Sequence, residues 1–451
     1  MAYNAGVKQS YTGGSTGVMY TDRRDFYLTP NTVAELYKTA SPFTSVLGRF
    51  GTKRTYDPDF KLFEHRAGWL NMKCYLAQAT AALTEGTAIT TVRLDNGAGA
   101  LTGYFSTETE AEGTVLDVWD STCTTHKTTG YISIITKGTT YHTVSYYPIW
   151  VAVSGTTAFA DNDVAFIQTN AREEGGKATH AWDSPMEVVY NTSAIMKTSL
   201  EITGTLLAMS QLRGGSNELA RFRDLKAKEH KIKQAKALYF SRRYGGTDEA
   251  IGGTTPDKFV GPNGRRVRTM HGIIPVIEDY NSASNVHNIT MASYTWDDFV
   301  DDIVVWFEYS NDNMVKWLFC GDAVMAFFSK IGSSGFIDGG TFQLNLNMNA
   351  SETKLGINVN TLETGMGSIR LVRDQLFSKG FNDTVGSVRP FTGWGVLVDP
   401  ENISKVIFRP DKYQTGLADN SYGGELLLEQ YFSDWGLGIT LAETHHMLKF
   451  A

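Results

Sequence analysis

The most constraining feature of the sequence is one long, strongly basic helical segment in a chain that otherwise has the composition of β structure. Residues 216–243 contain no Gly or Pro, and paired glycines stand on both sides of them. Ser216 can cap the first turn, and Arg242 and Arg243 suit the negative end of the helix dipole. At 1.5 Å per residue such a helix is about 40 Å long. We therefore predict a helix over 216–243.

The apolar side chains of this predicted helix form only a thin stripe. Between residues 218 and 240, seven Lys and Arg residues stand against three acids. A helix this polar lies across a surface or between layers, not inside a core. Its basic face has three open interpretations: solvation, pairing with acidic segments of neighbouring chains such as 297–302, or weak contact with DNA phosphate. The stripe consists of Phe222, Leu225, Ile232, Ala235 and Tyr239.

Composition narrows the class of protein. The chain of 451 residues is 42% hydrophobic and 20% charged, which is typical of a soluble protein with two or three cored units. A net charge of −7 argues against a dedicated nucleic-acid binder. Cys74, Cys123 and Cys320 form no CxxC pair, so we expect a reducing compartment. No apolar leader or membrane-length run occurs, and we expect a soluble chain made in the cytosol, without a membrane partner.

Residues 58–200 have the pattern of β structure. Segments such as 113–120, 131–138 and 162–169 are strand-length, rich in Thr, Val, Ile and Tyr, and separated by turn residues. About five short strands over residues 85–170 predict a small barrel or sandwich. The chain then returns as extended structure towards the basic helix.

The C-terminal half is predicted to mix helices and strands. Residues 265–279 are predicted as a strand, and 316–332 as a strand, a turn and a helix. Residues 354–377 and 393–409 are each predicted as two strands, and 425–450 as a closing hairpin.

Residues 295–310 predict a helix with a defined start. Thr295 can cap its first turn, and Asp298 stands at the acidic position of a capping box. Its predicted buried face consists of Phe299, Ile303, Trp306 and Phe307.

Residues 1–57 predict an arm with little core of its own. A Gly-, Ser- and Thr-rich start is followed by a short helix within residues 29–40, a turn and a second apolar stretch. Such a segment buries too little apolar surface to fold alone. We expect it to lie over another unit or another subunit.

The candidate motifs predict no catalytic, cofactor-binding or metal site. Residues 13–17 match GxSxG but lack the strand and helix of a nucleophile elbow. His445 and His446 would point to opposite sides of a strand, one buried and one exposed, and so would not share a metal ion. The acids between residues 297 and 302 fit a helix start better than a calcium loop. The candidates for paired carboxylates, which we expect to face solvent, are Glu108, Glu110, Glu112, Glu173 and Glu174.

The order of these segments resembles a known family. Residues 30–50 (PNTVAELYKTASPFTSVLGRF) are similar to the end of an N-terminal arm, and 60–68 (FKLFEHRAG) to the entry of an extended loop. The basic helix is similar to a spine helix, and residues 295–331 to the start of an axial domain. The chain thus resembles the major capsid proteins of tailed double-stranded-DNA bacteriophages, in the subgroup with a β domain inserted in the extended loop.

This resemblance implies an α+β fold, the tailed-phage major capsid protein fold with an inserted small β-barrel or sandwich domain. The implied parts are an N-terminal arm (1–57), an extended loop (58–210) with the inserted domain at about 85–170, a peripheral domain (211–295) with the spine helix at 216–243, an axial domain (296–410), and return strands (411–451).

The resemblance also implies a function. The protein would be a structural, non-enzymatic subunit of an icosahedral capsid, made in the host cytoplasm and found in the virion. Its copies would form hexamers and pentamers around double-stranded DNA, which they would contact weakly and non-specifically. A portal protein and separate scaffolding and decoration proteins are further implied partners, and no cofactor is implied. Some relatives form Lys–Asn cross-links; Lys177 is the nearest candidate, but no partner Asn is evident and we expect no cross-link.

Two other classes of protein stay open from the residues alone. A carbohydrate-binding or hydrolytic β-rich protein would use residues 85–170 and the acids named above. A non-capsid DNA-packaging protein would use the basic helix.

Overall fold

In a computed structural model the chain divides into two compact units. The body comprises Met1–Phe63 and Val188–Ala451, and the barrel unit comprises Glu64–Glu187. The residues that the structure describes are 42–65, 73–95, 113–136, 138, 141–172, 174, 186–205, 218–243, 261–309, 314–334, 349–354, 357–380, 391–417 and 426–450.

The barrel unit folds around a closed barrel of six antiparallel strands. Of the two predicted architectures, a barrel or a sandwich, the barrel is therefore the correct one. Its first strand begins at Lys73, before the predicted start of the inserted domain at residue 85. The strands are β3 Lys73–Leu76, β4 Ile89–Asp95, β5 Thr114–Trp119, β6 His126–Thr136, β7 His142–Val151 and β8 Val164–Asn170, and their order around the barrel is β3-β4-β7-β6-β5-β8.

The barrel closes because alternate residues of its strands point inward and fill the interior. Leu116 and Val118 of β5 and Tyr146 of β7 are buried in one apolar cluster. Gly130 of β6 lies against this tyrosine: a Cβ atom there would stand 2.5 Å from the Tyr146 ring and 2.3 Å from the Tyr147 carbonyl oxygen. Only glycine fits at this position.

The body combines helices with two main sheets. Within the described residues, its α-helices are α1 Pro42–Phe50, α2 Glu218–Phe240, α3 Ile273–Asn285, α4 Trp296–Phe307 and α5 Asp322–Ser334. The predicted basic helix is confirmed as α2, although it ends at Phe240 rather than at Arg243. The predicted strand, turn and helix over 316–332 are confirmed as well.

The larger sheet of the body has seven strands. Pairs β11–β19 and β12–β15 are parallel, and the other four pairs are antiparallel. The strands are β11 Val286–Ile289, β12 Val315–Cys320, β13 Asn349–Lys354, β14 Ile357–Glu363, β15 Ser368–Arg373, β16 Trp394–Val398 and β19 His446–Phe450, in the order β11-β19-β16-β12-β15-β14-β13.

The smaller sheet of the body has four strands and holds α2. Strand β18 pairs antiparallel with β10 and β17, and β1 pairs parallel with β17. A separate two-stranded sheet joins β2 and β9, the strands through which the chain leaves and re-enters the body. These strands are β1 Thr52–Arg54, β2 Asp59–Glu64, β9 Glu187–Thr192, β10 Ala194–Thr203, β17 Ile403–Gln414 and β18 Leu426–Ile439.

Two apolar cores lie on opposite faces of the seven-stranded sheet. Phe319 of β12 points to the main core, which also takes residues from α1, α2, α3 and the four-stranded sheet. Its neighbours Leu318 and Cys320 point to the second core, with residues of α4 and α5. The alternation along one strand therefore places helices on both faces of the sheet.

The predicted strand over 265–279 is wrong. Helix α3 begins at Ile273, and Gly272 precedes it with extended backbone. Pro275 stands in the first helical turn, where the missing N–H costs no hydrogen bond. Ile277 is fully buried in the main core. Burial of an apolar helix face thus outweighs the strand preference of this β-branched run.

The predicted closing hairpin over 425–450 is also wrong, because β18 and β19 belong to different sheets. Between them Leu441 has a φ of 51°, and a 3₁₀ turn over Ala442–Thr444 follows it. The chain changes direction there and crosses from one sheet to the other. Strands β16 and β17, predicted within 393–409, exist but are likewise in different sheets.

The end of the predicted arm is part of the body. Phe43 of α1 stacks on Tyr239 of α2 and meets Phe319 edge-on, with ring centroids 4.8 Å apart in both pairs. Residues from Pro42 onward thus bury apolar surface against other elements of their own chain. The helix predicted within residues 29–40 lies outside the described residues.

Candidate assembly interface

Helix α2 is attached to the body along its predicted apolar stripe. Ala235 and Tyr239 are fully buried in the main core, and the Tyr239 hydroxyl donates a hydrogen bond to Asp374 (2.9 Å). Towards the other end, Phe222 packs with Leu200 of β10. The stripe is therefore confirmed as the face that α2 presents to the body.

Buried polar side chains reinforce this attachment. The His230 ring nitrogens lie 3.1 Å from the Thr198 hydroxyl and 2.6 Å from the Ser433 hydroxyl. Gln234 donates to the same Ser433 hydroxyl (2.7 Å). Burial lowers the pKa of His230. Neither His230 nor Gln234 stands out in the sequence, because a polar residue in a polar helix gives no sign that it faces inward.

At least four of the seven basic side chains of α2 pair with acids of their own chain. Arg223 makes a two-pronged contact with the buried carboxylate of Glu429 on β18, with one N–O distance of 2.8 Å. The other pairs lie within the helix. They are Lys226–Glu229 (2.8 Å), Lys233–Glu229 (2.8 Å) and Lys228–Asp224 (2.7 Å).

Helix α4 begins with the predicted capping box. The Thr295 hydroxyl accepts from the Asp298 backbone N–H (3.3 Å), and the Asp298 carboxylate accepts from the Thr295 backbone N–H (2.8 Å). This backbone hydrogen bond lowers the pKa of Asp298. Asp302 accepts from the Tyr294 hydroxyl. These two acids therefore serve the start of the helix, as predicted.

The outward face of α4 mixes valines with acids. The predicted residues Phe299, Ile303, Trp306 and Phe307 are buried, which confirms the inward face. On the other side Val300, Val304 and Val305 are 42%, 47% and 41% exposed. The i, i+4 spacing of Val300 and Val304 marks a second apolar strip that was detectable in the sequence. The outward face consists of Asp297, Val300, Asp301, Val304, Val305 and Glu308.

Beneath α4 the body buries a lysine. The Lys316 ammonium donates to the Trp306 carbonyl (2.6 Å) and to the Thr444 carbonyl (2.8 Å). It thus ties the end of α4 and the turn before β19 to β12. Burial lowers the pKa of Lys316 to about 8.

Both histidines of the adjacent pair are buried, so the expectation of one exposed histidine is wrong. His445 precedes β19, and its Nδ1 accepts from the Asp399 backbone N–H (3.1 Å). His446 lies on β19, with its Nδ1 at 3.2 Å from Nε2 of His287. Burial lowers the pKa of His445 to about 3 and that of His446 well below its usual value. The turn before β19 breaks the simple alternation assumed for a strand.

Several other candidate residues cannot be located in the fold. The GxSxG match at 13–17, Glu108, Glu110, Glu112, Glu173 and Lys177 lie outside the described residues. Within the described ranges, no three His, Cys, Asp or Glu side chains come together as a metal-binding group. Cys74, Cys123 and Cys320 are free. Among the same residues no helix is both long and apolar enough to cross a bilayer.

Sequence comparison decides the family. Residues 29–429 match the model of the SU10 major capsid protein family. The chain belongs to this family. The capsid protein has the α+β fold of tailed-phage major capsid proteins, with a small closed barrel added. It is a structural subunit of an icosahedral bacteriophage capsid; its copies associate into capsomers, and its place is the virion.

Other comparisons give distant similarities. No curated protein matches the capsid protein. A solved structure of Microbacterium phage Oxtober96 is 8% identical, with a TM-score of 0.42 over 93% of this chain and 94% of that one. The capsid of Myoviridae phage XM1 is 12% identical, with a TM-score of 0.36 over 62% of this chain and 81% of that one. The SrpI encapsulin complex of Synechococcus elongatus PCC 7942 is 7% identical, with a TM-score of 0.34 over 58% and 77%.

Proposed function

We propose that the capsid protein forms hexamers and pentamers, and that the outward face of α4 is one contact between copies. The supporting observation is a helix that already buries one face and still leaves three valines exposed on the other. An apolar strip flanked by acids is typical of a surface that a second protein covers. Repeated copies of one weak contact add up in a closed shell through multivalency.

A charge placed in the valine strip tests this proposal. Val304→Glu buries an unpaired carboxylate if a second copy covers the face, and costs little if water does. Val267→Glu is the matched control, since Val267 is 44% exposed in a loop of the same unit. We expect closed particles in electron micrographs of the wild type and the control, and soluble, folded small species for Val304→Glu. Normal particles from Val304→Glu would contradict the contact.

We propose the following domain assignment. The four-stranded sheet with α2 belongs to the peripheral domain, and the seven-stranded sheet with α4 and α5 to the axial domain. Strand β17 spans the predicted border at residue 410, and as part of the four-stranded sheet it goes with the peripheral domain in this assignment. The proposed extended loop over 58–210 starts beside two exposed aromatics, Tyr56 (96%) and Phe63 (69%), which suit contact with a neighbouring subunit.

We further propose that the shell encloses double-stranded DNA and contacts it weakly. The internal ion pairs of α2 support weak contact, because a lysine already paired with an acid has less charge to offer a phosphate. Binding of unassembled protein to a DNA duplex should be weak and fall with a shallow salt slope; a slope of about −6 or steeper contradicts this. The other expected partners are a portal protein and separate scaffolding and decoration proteins, with synthesis in the host cytoplasm.

A further inference from the structure

Three aromatic rings stack on the wall of the barrel. The His126 ring lies between Trp119 and Trp150, at a centroid distance of 4.8 Å from each. The ring planes are within 26° and 20° of parallel. The stack joins the ends of three neighbouring strands, β5, β6 and β7, and each indole keeps one ring face turned away from the histidine.

The stack belongs to the outer surface of the barrel. The next residues along the strands, Val118 and Val151, are buried in the barrel core, so Trp119 and Trp150 point outward. Trp150 is 44% exposed, and Ile149 beside it is 58% exposed. An exposed tryptophan adds nothing to the barrel core and leaves a large apolar ring in water. Such a ring suits a ligand with a flat apolar face.

Polar side chains at the edge of the stack are held in fixed positions. The carboxylate of Asp117 accepts from the Thr129 hydroxyl (2.5 Å) and from the Gln168 amide. Nε2 of His126 lies 3.3 Å from the Thr129 hydroxyl and 3.6 Å from the Asp117 carboxylate. Since the Gln168 amide nitrogen is engaged, its carbonyl oxygen remains as an acceptor. The stack is thus bordered by preorganised hydrogen-bonding groups.

We propose that this surface binds a neutral polysaccharide, with a pyranose ring on Trp150. A sugar ring presents apolar C–H groups on its face and hydroxyls around its edge, which matches the Trp150 indole with its cross-strand neighbour Thr129 and the hydrogen-bonding groups beyond it. This binding is separate from assembly, because it uses the barrel unit and not α4. Carbohydrate binding, which the sequence left open as an alternative function, is thus proposed here for one surface of the barrel. The residues involved differ from the acids named in the sequence analysis.

The charges around the stack favour a sugar over a nucleic acid. Bases also stack on aromatic rings, but single-strand binding sites pair those rings with cations that follow the phosphates. Here the carboxylate of Asp117 borders the stack. The nearby ammonium of Lys127 is already paired with the buried carboxylate of Asp163 (2.6 Å). A phosphate backbone would meet an acid and an occupied lysine.

The test uses the full-length protein and immobilised dextran, mannan, xylan and laminarin as probes. We expect retention on at least one polymer, a loss of about tenfold or more in affinity for Trp150→Ala, and near-normal affinity for Trp150→Phe, which keeps a ring. Tyr280→Ala is the matched control, since it removes from the body an aromatic ring that is 41% exposed. Circular dichroism and particle formation are recorded for each variant.

Four results would overturn the proposal. They are no retention on any of the four polymers, equal retention of wild type and Trp150→Ala, tighter binding of oligo-dT than of any polysaccharide, or loss of particles in Trp150→Ala, which would make the stack a subunit contact. Failure of Val304→Glu to affect particles leaves this proposal unchanged, so the two proposals fail separately.

Discussion

The interiors of the barrel unit and the body differ in chemistry. The barrel core is an apolar cluster, and the polar side chains that the barrel unit buries include His142 and Asp163, the latter paired with Lys127. The body instead buries Lys316, His445 and His446. The stability of the body therefore depends more than that of the barrel on hydrogen bonds and on the protonation state of buried groups, since five of its histidines have lowered pKa values. The two units should respond to different perturbations.

The largest expected effect is that of Lys316→Ala. The change removes the ammonium that donates to two buried carbonyl oxygens and opens a cavity, so we expect a loss of about 3–5 kcal/mol in the free energy of unfolding of the body. Hydrogen exchange measured by mass spectrometry should place the loss in β12 and β19, with the barrel strands unchanged. Lys127→Ala is the control and should cost less, only in the barrel, because Asp163 also accepts from the Ala160 N–H. A greater loss for Lys127→Ala would reverse the comparison.

Acid is expected to unfold the body before the barrel unit. His445 and His446 have lowered pKa values in the fold, so the unfolded chain takes up protons below its usual histidine pKa of about 6.5 while the folded body does not. Their contribution is complete above pH ~6.5 and is lost as the pH falls towards about 3. The slope is on the order of 1 kcal/mol per pH unit for each histidine.

The measurement is urea unfolding between pH 7 and 4, with hydrogen exchange to separate the two units. His446→Gln is expected to flatten the slope of the body. A body whose stability is constant from pH 6.5 to 4.5 would contradict this account.

Gly130→Ala should damage the barrel alone. The added methyl group would meet the Tyr147 carbonyl and the Tyr146 ring at under 3 Å, so we expect a loss of about 1–3 kcal/mol in barrel stability. Protection of amide hydrogens in β6 and β7 is the direct readout. Unchanged protection in β6 and β7 would mean that the Tyr146 ring and the backbone of β7 can shift to accommodate the methyl group at little cost.

The smallest expected effect is a gain in the stability of the body. Gly48 lies in α1, and among the described residues nothing outside the adjacent backbone of the helix comes within 4 Å of the place that an added methyl group would take. Gly48→Ala should therefore stabilise the body by about 0.5–1 kcal/mol. Thermal unfolding should show a slightly higher midpoint for the body and no change for the barrel. A loss of stability would indicate that α1 needs the flexibility of glycine.

Sequence reasoning succeeded where the deciding interactions are local. The start of α4 was predictable because Thr295 and Asp298 stand three residues apart and form both bonds of the cap. The barrel strands were predictable from alternation and turn residues. The stripe of α2 followed from helical spacing, although its buried His230 and Gln234 did not.

The errors concern contacts between distant segments. Residues 273–285 became a helix because the main core accepts an apolar face there, and β18 and β19 separated because one turn redirects the chain. The helix depends on the core against which it packs, and the separation of the strands depends on the sheet that each of them joins. Neighbouring residues in the sequence carry no signal for either. The ring stack was missed for the same reason, since Trp119, His126 and Trp150 meet only when three strands align.

The pairing of β2 with β9 brings the two ends of the barrel unit close together. Because the exit and the return are neighbours, a segment with closely spaced ends can be exchanged at this point while the sheets of the body keep their order. The barrel thus occupies a position where an inserted segment can be lengthened or replaced while the body keeps its own strand order.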